Sequence, residues 1–469
     1  MNTSYVTKQR TSRAILLSTL TVLMVVSGCA SVRERASNIF GKGGEPKNAV
    51  RADADRVSVL GLEEVLKKDP ALESVAVTLP APQVFTDWAT TGGNLSNAPQ
   101  NVVGDGPLNV VMRRKVGAGA QGRRAVTAPP LVVGGRIYVI DSRNTVYALD
   151  QTTLRQIWRK DLTSTATARN RFLGRENADA IGGGISSGDG RIYAATGFGN
   201  LVALDGATGA EVWRMSANSP IHASPLAGGG RVFVTTNDSE LFAVDAASGE
   251  VQWTQSAISE PARMLSSPSP ALVGETLIAP FASGEVIAML SANGRRLWAE
   301  ALTRAGTTTS LSTINDIAGR PVVVDGIVFA GSQSGTFAGV DIRTGVRVWE
   351  KPIATVQTPW VAGSFVFVVS TTGELVAMDA KTGGVKWTRQ LPAYKNERKK
   401  KDLITWTGPI IIGSRLVLAS SDGRLEIVRP EDGTTIATRN IRSEIYVSPA
   451  MAGGALYYFT NDGEVLVVR

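Results

Sequence analysis

Cys29 is the only cysteine and His222 the only histidine among 469 residues. A thiolate is a nucleophile and a metal ligand, and a neutral imidazole takes up protons or binds metal. Most of those uses need partners that this composition withholds. A closed zinc site draws four ligands mainly from these two residue types, and a disulfide needs a second thiol. His222 lies in PIHASP at the entrance to an apolar run, and reads as a structural or loop residue. GGG at 182–184 lacks the strand-to-helix setting of a phosphate-binding loop. Asp150, Asp205, Asp245, Asp341 and Asp379 recur just ahead of Thr or Ser in turn-like settings. Capping of backbone N–H groups accounts for them there. The residues predict no catalytic centre, no metal and no cofactor.

Cys29 has one chemistry left, and its flanks say which. Lys8, Arg10 and Arg13 precede the apolar stretch 14–26, and Val26-Ser27-Gly28 leads into the cysteine. A basic start and a short apolar run describe an export signal, too short to span a membrane comfortably. The junction resembles the bacterial lipobox, in which the cysteine becomes a thioether to diacylglycerol. Residues 1–28 are therefore expected to be a lipoprotein signal peptide, with Cys29 the lipid attachment site. Two or more acyl chains hold a protein on a membrane almost permanently, at about 0.8 kcal/mol per buried methylene. Ala30, in place of aspartate, favours the outer membrane by resemblance to the sorting rule of such lipoproteins. Loss of the leader removes three basic and no acidic residues, taking the net charge from +8 to +5. An excess so mild and dispersed argues against nucleic acid as a partner.

The rest of the chain must position whatever site exists. Residues 29–84 read as a lipidated flexible tether, and 85–469 as one repeat domain. Six units end in tryptophan, at Trp158, Trp213, Trp253, Trp298, Trp349 and Trp387, with spacings of 55, 40, 45, 51 and 38 residues. A seventh unit carries Ala437 in that place, and an eighth stops at Arg469 before its last strand. Each unit alternates with period two, turns, alternates again and turns at a glycine corner, the pattern of a four-stranded propeller blade. The predicted fold is all-β, an eight-bladed β-propeller of four-stranded blades. PLNVVMRRKVGAG (107–119) is expected to supply the missing strand of the last blade, with Met112 near the tryptophan position.

The unit A-L-D-x-x-T-G-x-x-x-W resembles the repeat of pyrroloquinoline-quinone dehydrogenase propellers. The BamB family shares it; these are lipoproteins of the bacterial outer-membrane β-barrel assembly machinery. TDWATTGGNLSNAP (86–99) and the lipobox point to that branch. The resemblance implies a non-enzymatic scaffold on the periplasmic face of the outer membrane. It would dock to the periplasmic domain of the barrel subunit and serve unfolded outer-membrane protein clients. It further implies docking through SEPARMLSS (259–267) and STINDIAGR (312–320), with Pro261, Ala262, Arg263, Met264, Leu265, Asn315 and Asp316 as partner-binding candidates. Asp316 matches the first member of a family D-x-D pair, and Ala318 replaces the second. The alternative is a quinoprotein-like enzyme or a sensor that binds a ligand in the propeller funnel. The adjacent cysteines common in the quinone enzymes are missing here, which weighs against it. KNERKKKD (395–402) reads as a solvated charged loop.

Overall fold

The computed structural model describes residues 66–122, 124–163, 183–260, 264, 266, 268–303 and 314–469. Alternating apolar residues make short strands, and the turn residues decide how they connect. Blade one consists of Leu131–Val133, Arg136–Ile140, Thr145–Asp150 and Gln156–Asp161, paired in that order as an antiparallel meander. Its first hairpin turns through Gly134 and Gly135 at φ of 57° and 72°, the left-handed pair that matches strand twist. Six more sheets repeat this order. The eighth is made by both ends of the propeller sequence: Ala450–Ala452, Ala455–Phe459 and Glu464–Val468, then Val110–Lys115 along its outer edge. First strands of neighbouring blades contact one another around the axis. The chain thus forms a closed eight-bladed β-propeller.

Each blade carries a cross-strand row that explains the repeat. In blade one Tyr138 pairs with Ala148, which pairs with Trp158. The small middle residue lets the two rings meet across it, with centroids 5.9 Å apart. Tyr193–Ala203–Trp213, Phe233–Ala243–Trp253, Phe329–Gly339–Trp349 and Phe367–Ala377–Trp387 follow the same rule. Where tryptophan is missing, the middle residue grows. Blade seven has Val417–Ile427–Ala437, and blade eight Tyr457–Val467–Met112. Met112 stands at the tryptophan position, as the sequence predicts.

The tryptophan also reaches the next blade. Trp158 Nε1–H donates to Gly206 O at 3.1 Å, Trp213 to Ala246 O at 3.0 Å and Trp387 to Pro430 O at 2.9 Å. The next blade's corner glycine lies over the ring. A Cβ on Gly249 would stand 2.6 Å from Trp213 Cδ2, and Gly249 has φ +80°. Glycine is needed there twice over, for backbone conformation and for space. Blade one tests the rule, since blade eight sends it Met112 and no tryptophan. Its corner position holds Leu154 at φ 56°, buried in the cluster against which Met112 packs.

Residues 85–102 form no extended strand, yet they bind every blade in turn. Phe85 O accepts from Gly453 N in blade eight at 2.8 Å, and Trp88 exchanges backbone bonds with Val132 in blade one. Ala89 O takes Ser187 N in blade two at 2.8 Å. Leu95 approaches Gly228 of blade three and accepts from Leu272 N of blade four at 2.7 Å. Ser96 O takes Val323 N of blade five at 3.0 Å, Gln100 O the Trp360 indole of blade six at 2.6 Å, and Val102 O the Gly413 N of blade seven at 2.7 Å. Asn97 Nδ2 donates to Pro270 O at 3.2 Å and Pro321 O at 2.9 Å, joining blades four and five. This hub closes one end of the axial channel.

Part of the expected tether joins the body. Asp69 N donates to Val385 O at 2.7 Å, and Asp69 Oδ1 caps a short 3-10 turn, Pro70–Leu72, against blade six. Lys386 Nζ caps the far end, 2.5 Å from Leu72 O and 2.9 Å from Glu73 O. Residues 66–84 therefore pack with the propeller instead of extending a flexible linker. The 395–402 loop likewise has structure of its own, as the tip of a hairpin pairing Tyr394–Asn396 with Lys401–Leu403.

Candidate functional site

An antiparallel meander sorts its connections by face. First-to-second and third-to-outer turns lie at the hub end, where they are uniformly tight. Second-to-third turns and the links to the next blade lie at the opposite end, where the chain lengths vary. The links that hold 164–182, 261–267, 304–313 and the 394–403 hairpin all start and finish on that variable face. Loops on a rigid ring are where binding function concentrates.

Of the residues expected to bind a partner, the structure brings three together. Met264 N donates to Asp316 Oδ2 at 2.7 Å, and Asp316 O accepts from Gln333 N at 3.0 Å. Asn315 adjoins them and packs against Gly284 in the neighbouring turn. Asp316 is only 6% exposed. Its carboxylate pins the 259–267 loop to the 312–320 loop; it is not a free surface charge awaiting a partner's cation. Met264 and Asn315 are half-buried at the edge of this junction. Pro261, Ala262, Arg263, Leu265 and Cys29 lie outside the described residues. His222 belongs to the same neighbourhood: its ring Nδ1 is 3.3 Å from Asn237 Nδ2, and it lines a 30 Å³ gap with Met264 and Asp316.

The corner aspartates are turn caps. Asp205 Oδ1 accepts from Thr208 N at 2.8 Å and from its hydroxyl at 2.7 Å, and Asp341 and Asp379 repeat this with Thr344 and Thr382. The Thr208 hydroxyl, followed by the backbone N–H groups, holds the Asp205 carboxyl below its ordinary range. A cleft of about 740 Å³ beside blade one contains Asp141, Tyr147 and three arginines. Asp141 already receives Ala118 N, Arg143 N, Thr145 N and the Tyr147 hydroxyl. Burial, then the Asp141 charge, pushes the Tyr147 phenol up to about 12. The Tyr147 phenol is therefore not poised for proton transfer near neutral pH.

A second cavity, of about 350 Å³, opens at the axis on the variable face. Val126, Met264, Gln357, Tyr446 and Asn461 line it, and Arg320 lies where it meets the space under the hub. The sequence reading passed over Arg320. Its signal is an R-P pair at a point where five of the other repeats read S-P, T-P or G-P.

The sequence and the fold are similar to those of known proteins. Residues 171–389 match the family described as outer membrane protein assembly factor BamB, and residues 111–212 the β-propeller domain of glucose, ethanol and alcohol dehydrogenases. The outer membrane protein assembly factor BamB of Escherichia coli (strain K12) is 27% identical over 396 residues, spanning 82% of this chain and 97% of the relative. The crystal structure of BamB from Moraxella catarrhalis superposes with a TM-score of 0.63 at 23% identity, covering 77% of this chain and 99% of that one. The chain is thus similar to BamB assembly factors along most of its length, and it shares their propeller fold. The quinohemoprotein alcohol dehydrogenase of Comamonas testosteroni, at 14% identity and a TM-score of 0.59, covers 81% of this chain and 80% of its own. That likeness is one of fold alone. In this BamB-like propeller the repeat's aspartates, tryptophans and glycines are spent on closing the ring, which leaves function to the loops and the funnel.

Proposed function

We propose that this BamB-like propeller is a non-enzymatic scaffold lipoprotein of an outer-membrane β-barrel assembly complex. It is anchored through Cys29 on the periplasmic face after removal of residues 1–28. It docks to the periplasmic domain of the barrel subunit and aids the folding and insertion of β-barrel clients. The observation that carries this reading is similarity along nearly the whole length of a protein named as an outer membrane protein assembly factor. The closed hub and the gathering of long links on one face support it: a rigid ring with a single variable face suits a docking platform. Contact is assigned to the 259–267 and 312–320 loops, which Asp316 ties into one surface. In that surface Met264 and Asn315 contact the partner directly and Asp316 maintains the arrangement, with Pro261, Ala262, Arg263 and Leu265 completing the patch.

The test is site-specific photocrosslinking in native membranes, with the probe at Met264 or Asn315. A single adduct with the barrel subunit is expected, and a probe at Arg155 on the hub-side corner of blade one should give none. Equal labelling from both positions, or no adduct from either loop, refutes the assignment. Cys29→Ser should move the protein from the membrane to the soluble fraction.

A further inference from the structure

Inner strands begin at a repeated dipeptide. The residue ahead of proline is Ser224, Ser269, Thr358, Gly408 and Ser448 in blades three, four, six, seven and eight, Pro129 in blade one, and Gly184 starts blade two without a proline. These positions ring the axis, where eight strands converge and only short side chains fit together. Blade five alone places a long charged side chain there, Arg320 ahead of Pro321. The departure from the repeat is confined to one blade and one residue.

Arg320 is 9% exposed. Its backbone N–H is held by Thr358 Oγ1 at 3.1 Å, but its side-chain Nε has no hydrogen-bond partner. Among the described residues no carboxylate pairs with the guanidinium. Burial alone moves its pKa, down to about 10, so it stays cationic at neutral pH. A buried cation without a counter-charge is unfavourable, and among the described residues the compensating charge has one way in. That way is the 350 Å³ funnel, whose described lining has Arg320 as its sole charged group.

We propose that the funnel binds a small monocarboxylate with an apolar or aromatic body, its carboxylate seated on the Arg320 guanidinium. Two parallel N–H donors match the two oxygens of a carboxylate. One positive charge balances one negative charge, whereas a phosphate dianion would leave a charge uncompensated beside a guanidinium that is itself buried. The body of the ligand meets Val126, Met264, Val356 and Val447, and Gln357 and Asn461 offer neutral hydrogen bonds at the rim. The volume suits a small molecule, at the lower end of the roughly 300–1,000 Å³ range of ligand pockets. The inference does not depend on the docking reading, since the purified chain alone is tested.

Calorimetric titration of the full-length protein in detergent, with 3-phenylpropionate, its neutral amide and inorganic phosphate as probes, decides the matter. Saturable binding of the carboxylate is expected, with the amide and phosphate at least about ten-fold weaker. Arg320→Met should abolish the preference for carboxylate over amide without lowering the thermal midpoint, because it removes an uncompensated buried charge. Arg320→Lys keeps the charge and loses the planar fork, so about ten-fold weaker binding is expected and covers the case of a misfolded Met variant. No saturable carboxylate binding, equal binding of the amide or phosphate, or unchanged binding by either variant overturns the proposal.

Discussion

Replacing Gly249 with alanine should destabilise the ring at one seam, and the cost divides into two measurable parts. Gly249 has φ +80°, and holding an L-residue in that left-handed region costs about 1–2 kcal/mol. The new Cβ would also sit 2.6 Å from Trp213 Cδ2, about 1 Å inside normal carbon–carbon contact. Overpacking of that kind adds about 1–3 kcal/mol, for a total of about 2–5 kcal/mol. Gly230 provides the control, since it has φ +73° with nothing within 4 Å of its would-be Cβ. Gly230→Ala should therefore cost only the backbone part. Guanidinium unfolding of both variants, and of Gly249→Ala in a Trp213→Ala background, completes a double-mutant cycle. The second background vacates the space, so the cost of Gly249→Ala there should fall to about 1–2 kcal/mol. Equal costs at Gly249 and Gly230, or a Gly249 cost unchanged by Trp213→Ala, would refute the claim that the indole dictates the glycine.

Met112→Trp should destabilise by about 1–3 kcal/mol, because Val467 and Leu154 fill the space that Ala or Gly leaves open in other blades. Adding Val467→Ala and Leu154→Gly should recover most of that loss in the same unfolding assay. Asn97→Ala removes two buried hydrogen bonds that join blades four and five, at about 1–3 kcal/mol, and should speed amide exchange in the inner strands of those blades. Asp150, Asp205, Asp245 and Asp341 have carboxyls held below their ordinary value by turn hydroxyl and backbone N–H donors. Their contribution is complete above the unfolded value near 4 and is lost as pH falls through the lower folded values. Thermal midpoints should therefore drop below about pH 4, and Asp205→Asn, which can still cap, should flatten that dependence.

The ring could be read from one dimension because its rules are local. Period-two alternation gives strands, glycine pairs give left-handed turns, and a tryptophan every 38 to 55 residues gives the blades and their number. Even the closing strand was legible, since an incomplete final unit needs an edge partner and the start of the domain offers one. Other features were settled only in three dimensions. Residues 85–102 show no periodicity, because their backbone bonds go to seven different blades and no local pattern records them. Asp316 looked like a surface charge until folding set Met264 N against it, 52 positions away in the chain. Arg320 was printed plainly as R-P, yet its meaning depends on the axis, where eight inner strands leave room for small residues and one long cation. The sequence by itself determined the repeat, and with it the sheet, the corner and the blade count. Closure alone decided which side chains became neighbours at the centre and on the variable face, because burial and charge pairing there depend on groups supplied by other blades.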